Sequence, residues 1–291
     1  MKKEAVKTWS TPIAREEQRL IPCTLCGGRQ FRPALSCEGF AYVRCTRCGL
    51  VQMNPQPIHA EVHKRYREEH GKDYLAYELA NEKNFLRLQE LALADAGFMV
   101  LEQELFAAGV PKILDIGCAT GALLEKLRTR GWEVQGVELS LPQADYAEQV
   151  RNINVRGLPL EESYFNGGEF QAVLASHLIE HLNNPGTFVR EVYRILSPGG
   201  RFFVTTPNIA GFQARLFKGR WRSAIFDHLY LFSEKTLSRL LLQTGFALEK
   251  IITWGGLAAG IAPPFLKYWA DRAAKKFGFG DVMLIRAKKP G

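Results

Sequence analysis

What this 291-residue sequence lacks first is any long apolar run. Its first twenty residues carry Lys2, Lys3, Glu4, Arg15, Glu16 and Glu17 with no continuous apolar stretch, so they offer no hydrophobic region of a signal peptide. The longest weakly polar segment, Trp254 to Leu266, is broken by Gly255, Gly256, Gly260, Pro263 and Pro264. It falls short of the ~20 residues that a transmembrane helix needs. Acidic residues are in deficit, 30 Asp and Glu against 38 Lys and Arg, which leaves a formal charge of +8. That balance suits partners carrying phosphate, whether nucleic acid, anionic lipid or a nucleotide-linked metabolite, and it equally suits a plain basic surface. Cysteine is scarce, six in all, yet four fall in two tight pairs. Without an export signal, such pairs favour metal ligation over disulfides and imply a reducing cytoplasm.

An apolar content of 46% is enough for one sizeable α/β domain and a small accessory module, and no internal repeat is visible. The accessory module is the cysteine region. Cys23-x2-Cys26, eighteen residues, then Cys45-x2-Cys48 is the spacing of a tetrahedral thiolate zinc site, each pair gripping one edge of the metal from a tight turn. Gly27 and Gly49 follow the second cysteine of each pair, where positive φ turns backbone amides toward the sulfurs. Four thiolates leave no open coordination position, so the zinc is expected to be structural. Cys37 and Cys118 complete no pattern and read as buried thiols.

From about Ala60 to Ala108 the composition is helical and free of proline, which predicts a helical connector or lid. After Gly109 and Pro111, strand and helix alternate. Extended stretches are expected at Lys112 to Ile116, Glu133 to Glu138, Phe170 to Ser176, Arg201 to Thr206, Phe246 to Trp254 and Asp281 to Ala287. Helices are expected at Ala122 to Arg130, from Pro142 behind Ser140 as N-cap, at Pro185 to Leu196, and at Ser233 to Thr244 with Gly245 as its stop. Ser197 to Gly200 reads as a turn. Such alternation predicts a Rossmann-like, seven-stranded, mostly parallel sheet flanked by helices.

The segment Ile113 to Gly121 is an apolar strand ending in Asp115, then a small-residue turn containing Gly117, Cys118, Ala119 and Gly121. This turn resembles motif I of the class I S-adenosylmethionine-dependent methyltransferases, with Ala119 in place of the middle glycine. A carboxylate at Asp115 suits a cationic amino group and sulfonium and does not suit the pyrophosphate of a nicotinamide cofactor, whose loop would read Gly-x-Gly-x-x-Gly. Glu138, twenty-three positions after Asp115 and followed by Leu139, matches the family's second motif, where an acid accepts the ribose hydroxyls. The resemblance runs from Lys112 to Ala287. It implies that Leu160 lies beside the adenine and that Ser176 and His177 lie beside the cofactor. It also divides the chain into a zinc ribbon (1–55), a connector or lid (56–108) and a methyltransferase domain (109–291).

The stretch Ser176 to Leu182 is similar to the small-molecule branch of that family. His181, after the fourth strand, is the leading general base, although a structural histidine fits equally. His228, inside the long Gly211 to Leu231 insertion, is a second candidate base; a covering loop whose aromatics merely pack is the alternative. Tyr66, Tyr74 and Tyr77 are candidate aromatic lid residues. Phe265, Trp269, Ala273 and Phe277, at helical spacing among Lys267, Arg272, Lys275 and Lys276, are expected to pack on the core more readily than to touch a membrane.

With the zinc ribbon, these motifs resemble methyltransferases of sugar and polysaccharide biosynthesis. The acceptor is then a small molecule, such as a nucleotide- or lipid-linked sugar, methylated on oxygen or carbon. The alternatives are an RNA methyltransferase that uses its ribbon for binding, or a non-catalytic binder of S-adenosylmethionine. Against RNA stand Ser176-His177-Leu178-Ile179 in place of an Asn/Asp-Pro-Pro-aromatic tetrad, and the lack of a Pro-Cys nucleophile. Against a non-catalytic binder stand the intact Asp115, Gly117, Gly121 and Glu138.

Overall fold

The computed structural model describes residues 18–57, 71–256 and 264–291. Near the N-terminus, β1 (Gln18–Arg19) pairs with β5 (Gln56–Pro57), and between them β2 (Phe31–Ser36), β3 (Ala41–Cys45) and β4 (Val51–Met53) form an antiparallel meander. Two helices follow, α1 (Gly71–Asp95) and α2 (Phe98–Ala107).

The expected alternation then appears. Its elements are β6 (Lys112–Ile116), α3 (Ala122–Thr129), β7 (Glu133–Val137), α4 (Leu141–Arg151), β8 (Val155–Arg156), β9 (Phe170–Ser176), α5 (Pro185–Ile195), β10 (Leu196–Pro207), α6 (Phe212–Phe217), β11 (Tyr230–Leu231), α7 (Glu234–Thr244), β12 (Ala247–Trp254), α8 (Pro264–Phe277) and β13 (Val282–Lys288). Seven of the strands form one sheet in the order β12-β13-β10-β9-β6-β7-β8, parallel except for β13, which runs antiparallel to both neighbours. The Rossmann-like, seven-stranded prediction is therefore the architecture observed. Strands β6 and β9 are buried on both faces, as parallel strands between helix layers must be, and their sequences KILDI and FQAVLAS are accordingly almost continuous apolar runs.

Local signals hold in several places and are modified in others. Ser233 and Thr236 form a capping box at the start of α7, and Gly245 ends that helix at φ 106°. Ser140 precedes α4 as expected, but its side chain makes no capping bond; its backbone amide serves Glu138 instead. The Ser197 to Gly200 turn lies within β10 as an irregularity, where the register against β9 jumps between Leu196 and Arg201.

Two expectations about packing are corrected. Helix α8 does not bury its large aromatics: Phe265, Trp269 and Phe277 are 63%, 62% and 67% exposed. It seats on β12 through the fully buried Ala274, whose carbonyl accepts a hydrogen bond from Thr253 Oγ1 at 2.9 Å. A small residue permits the close approach that a bulky face would prevent. The 211–231 insertion, in turn, is not a solvent-covering loop. Trp221, Leu229 and Tyr230 are buried, and β11 joins β4 as the outer strand of the sheet β11-β4-β3-β2.

The cysteine module and the large domain consequently share one apolar core, in which Tyr42, Leu50 and Met53 are continuous with Phe226, Leu229 and Phe232 and with Leu114 and Val173. A segment of about forty residues cannot bury a self-sufficient core. Here the insertion completes it. Among the described residues, no helix is long and apolar enough to cross a membrane.

Candidate functional site

Strands β9, β6 and β7 are adjacent, so the residues at their carboxyl ends meet at one edge of the sheet. Ligands bind at such an edge in open α/β folds. Asp115 stands near the end of β6, 2% exposed, and Glu138 directly follows β7. Between them the loop turns tightly, with Gly117 at φ 76°, Ala119 at 49° and Gly121 at 76°. At the position where family members carry glycine, Ala119 adopts a left-handed conformation that an alanine tolerates at some cost. A Cβ at Gly121 would lie 3.1 Å from that of Ala147, which explains why the turn ends in glycine.

The loop is held from β7. Gly117 and Cys118 both donate their amides to Val137 O, at 2.8 and 3.1 Å. The Glu138 carboxylate accepts the Ala119 amide at 3.0 Å on one oxygen and the Ser140 amide at 2.8 Å on the other. Each carboxylate oxygen has a second lone pair, so hydroxyl donors can still be accepted beside these amides. Leu139 is half-buried; Leu160 is buried in a short 3-10 turn, Leu160–Glu162. Cys118 is buried, and burial pushes its thiol well above the usual range.

Two acids buried together repel each other. Burial first, and then the charge of Glu138, push Asp115 up to about 8. Burial raises Glu138 as well, against the amides of Ser140 and Ala119, which hold it down. The connector adds to this field. Glu78 of α1 is pushed up to about 7 by burial, then by Glu138 and Glu82, and Tyr74 of the same helix is half-exposed. Arg151 ties α1 to the loop, since it pairs with Glu82 and with Glu125 and donates from Nε to Thr120 O at 2.8 Å. Tyr77 packs on Phe85 of the same helix, and Tyr66 lies outside the described residues.

Ser176 ends β9, and His177 follows at φ 52° with its amide bonded to Thr205 O at 2.9 Å. The half-exposed His177 side chain places Nδ1 3.3 Å from Glu180 Oε1. His177 and His181 do not share an α-helical face, because the chain turns there as a 3-10 helix, Ile179–His181. The two histidines proposed from sequence do come together: the rings of His181 and His228 meet edge to face, 4.6 Å between centroids.

Each ring is oriented by a backbone carbonyl. His181 Nδ1 lies 2.9 Å from Asp227 O, and His228 Nδ1 lies 2.8 Å from Ser223 O. A carbonyl only accepts, so both Nδ1 atoms carry a hydrogen, and Nε2 is the nitrogen left to hold the lone pair whenever the ring is neutral. Burial and then the charge of His181 lower His228 to about 4. Glu180 is fully buried; burial raises its carboxyl, but His177, and after it His181 and His228, outweigh this and hold it at about 2. Near neutral pH this cluster holds a carboxylate beside a neutral imidazole. Glu180 lies inside the Ser176 to Leu182 stretch, where the sequence alone gives it no role. The signal was an acid in the middle of His-x2-Glu-His.

The ribbon holds His228 in place. Tyr42 of β3 shares its hydroxyl hydrogen between Ile225 O at 2.7 Å and His228 O at 2.8 Å, and Met53 donates its amide to Leu229 O at 2.8 Å. In the ribbon itself, Cys23, Cys26, Cys45 and Cys48 converge, with one ligand sulfur each within 4.8 Å of the others. Cys23 and Cys48 Sγ lie 3.4 Å apart, Cys26 and Cys45 Sγ 3.6 Å. Gly27 and Gly49 have φ 69° and 84°, and a Cβ at Gly28 would lie 3.2 Å from Cys45 Sγ. Burial would raise the Cys45 thiol, but the backbone amides of Cys48 and Arg47 bring it down to about 7. Cys37 stands outside this cluster.

Residues 66–251 match the family model described as a methyltransferase domain. Ubiquinone biosynthesis O-methyltransferase of Acinetobacter baylyi is 32% identical over 104 residues, 33% of this chain and 44% of that protein. The mitochondrial ubiquinone biosynthesis O-methyltransferase of Rattus norvegicus is 37% identical over 106 residues, 33% of this chain and 31% of that protein. The matches thus span less than half the length of these curated relatives. Among solved structures, a methyltransferase of Thermotoga maritima aligns with a TM-score of 0.55 at 22% identity, over 79% of this chain and 99% of that one. An S-adenosylmethionine-dependent methyltransferase of Archaeoglobus fulgidus aligns at 0.52 and 21%, over 73% and 99%. These two likenesses concern the fold. The family model spans well over half of the chain and coincides with the acid-flanked loop, so the chain belongs to the methyltransferase-domain family, the class I S-adenosylmethionine-dependent methyltransferases.

Proposed function

We propose that this protein transfers the methyl group of S-adenosylmethionine to a hydroxyl oxygen of a small-molecule acceptor. The observation that carries the proposal is the buried acid pair. Asp115 and Glu138 together destabilise an empty site in which both are ionised, and a ligand bearing positive charge relieves that cost. The cofactor brings a cationic amino group, a sulfonium and a ribose with two hydroxyls. In this reading Asp115 faces the cation, Glu138 accepts from the ribose, and Gly117, Cys118 and Gly121 line the amino-acid end. Leu139 and Leu160 flank the base, and Ser176 and His177 stand beside the cofactor.

When bound, S-adenosylmethionine supplies an electrophilic methyl on a good leaving group. The acceptor oxygen forms the new C–O bond as the S–C bond breaks, S-adenosylhomocysteine departs, and the hydroxyl proton must leave. Alignment contributes most of the acceleration. In this reading the hydroxyl proton passes to a histidine base, His181 first and His228 as the second candidate. Oxygen is chosen as acceptor atom because the named relatives are O-methyltransferases. The finer proposal is a nucleotide- or lipid-linked sugar. Four thiolates fit zinc and leave it no open position, so the ribbon metal is structural and lies in the 1–55 unit, ahead of a 56–108 connector and a 109–291 catalytic unit. A cytoplasmic location follows from reduced thiolates.

The test is a thermal-shift and calorimetric screen with S-adenosylhomocysteine present, offering nucleotide sugars, small phenols and structured RNA. Stabilisation by a hydroxylated small molecule is expected, with a methyl ether as product. Selective stabilisation by RNA would replace this acceptor class, and failure to bind S-adenosylhomocysteine would remove the methyl-transfer reading.

A further inference from the structure

Asp281, the residue before β13, is fully buried. It stands at the carboxyl edge of the sheet, because Val282 pairs with Pro207 at the end of β10 and Asn208 donates its amide to Asp281 O at 2.8 Å. Both of its carboxylate oxygens are taken by the 211–231 insertion: Trp221 Nε1 donates to Oδ1 at 2.5 Å, and Arg222 Nε donates to Oδ2 at 2.6 Å. Arg222 therefore differs from an ordinary surface cation. In an exposed ion pair both side chains wander, whereas here the partner is 0% exposed and the arginine side chain stays 61% exposed. A guanidinium has five N–H donors, and Nε uses one of them. The four donors of Nη1 and Nη2 are unused among the described residues. The next residue, Ser223, supplies the carbonyl that orients His228, 2.8 Å from its Nδ1. Cations crowd this stretch. Between Gly211 and Leu231 stand Arg215, Lys218, Arg220 and Arg222 against a single acid, Asp227, and the first three are exposed.

We infer that Arg222 is an anion anchor of the acceptor site, whose guanidinium takes a diphosphate group through Nη1 and Nη2 while Asp281 holds it from behind. The planar fork matches two phosphate oxygens at once, and a side chain already fixed by a buried carboxylate loses little freedom on binding. Three further cations suit the multiple charges of a diphosphate better than the single charge of a carboxylate. The anchor rests on the methyl-transfer reading for its role, though not for its binding, and deepens that reading: a diphosphate is what nucleotide-linked and lipid-linked sugars have in common. An acceptor tethered at Arg222 is gripped by the same chain segment that carries His228, so the anionic group supplies position and leaves the hydroxyl to the base.

The test is calorimetry on the full chain with S-adenosylhomocysteine present, at constant ionic strength, titrating inorganic pyrophosphate, uridine diphosphate and geranyl diphosphate in turn. Saturable binding is expected, and Arg222→Gln should weaken it at least about ten-fold. Lys250→Gln, which removes the same charge from an exposed position on β12, should leave affinity within about two-fold. Tighter binding of uridine diphosphate assigns a nucleotide carrier, and tighter binding of geranyl diphosphate a lipid one. Should Arg222→Gln fail to melt cooperatively, because Asp281 has lost its cation, Arg222→Lys takes its place. It keeps a positive charge beside Asp281 but lacks the fork, and binding should weaken several-fold. No diphosphate binding by the wild type overturns the inference without any variant. Equal weakening in the Arg222 and Lys250 variants overturns it, as does undiminished binding by a cooperatively melting Arg222 variant. Absent diphosphate binding with S-adenosylhomocysteine still bound sinks the anchor alone, whereas failure of the wild type to bind S-adenosylhomocysteine sinks the methyl-transfer reading.

Discussion

The proposed cofactor cradle and the histidine cluster lie at the same edge of the sheet but are assembled in opposite ways. Asp115, Gly117, Gly121 and Glu138 come from one strand-loop-helix-strand unit, and their geometry follows from φ angles and hydrogen bonds within about twenty-five residues. His181 and His228 are 47 positions apart, and they meet because the 211–231 insertion is pinned to the ribbon through β11 and Tyr42. A short-range motif carries its own geometry. A long-range site needs a scaffold, and here the cysteine module is that scaffold.

The strongest way to break this comparison is to remove one ligand of the proposed ribbon metal. Cys26→Ser should abolish zinc content and most of the soluble yield, because the ribbon core and the insertion share one apolar cluster with the catalytic domain. Metal content by mass spectrometry and far-ultraviolet circular dichroism check this. A variant that loses zinc yet melts like the wild type would show that the ribbon is a separable module and not a scaffold.

Asp115→Asn attacks the other side. Cofactor affinity should fall by about 100-fold, roughly 2.7 kcal/mol, in calorimetry with S-adenosylmethionine, while zinc content stays unchanged. The empty protein should respond in the reverse direction. With Asp115 at about 8 in the folded state, against an ordinary 3.8, the folded protein holds a proton that the unfolded chain has lost between those limits. Stability without cofactor therefore falls as pH rises from about 4 to about 8, and the amide removes that penalty. Asp115→Asn should accordingly melt above the wild type at pH 8.5. Wild-type affinity for the cationic cofactor should climb up to about pH 8 and then level off, with proton release on binding below that pH. A flat profile would contradict an ionised Asp115 in the complex.

These contrasts explain what was legible in the sequence. Helix and strand periodicity, the capping box at Ser233, the stop at Gly245 and the acid-ended strand of motif I are local, so the seven-stranded sheet and its glycine loop could be read directly. The two cysteine pairs could be read for the same reason, each being a tight turn. The insertion could not, because apolar residues such as Trp221 and Tyr230 say that something covers them without saying what. Nor could helix α8, where the aromatic stripe promised burial and the seat is Ala274. Glu180 was hidden differently: an acid in a turn ordinarily faces water, and only the tertiary packing of Thr206 against it shows that it faces inward.

A smaller effect is expected from Tyr42→Phe, which leaves the ring packing intact and removes the hydroxyl shared by Ile225 O and His228 O. Two buried carbonyls lose a donor, for about 1–3 kcal/mol of stability. If the ribbon positions His228, kcat should fall further than stability predicts, with KM for S-adenosylmethionine unchanged. A loss of stability with kcat preserved would separate the scaffold from the chemistry.

The smallest expected effect tests the seam between the connector and the cradle. Glu82 pairs with Arg151, which also holds Thr120 O beside the cofactor loop. The pair is only partly buried, with side chains 22% and 10% exposed, so Glu82→Gln should cost about 1 kcal/mol or less. Its signature lies elsewhere. If α1 closes over the cofactor, this substitution should raise the dissociation rate of S-adenosylhomocysteine several-fold in stopped-flow measurements. The cradle would then prove to depend on the connector in the way that the histidine pair depends on the ribbon, with a weaker hold at the Glu82–Arg151 ion pair.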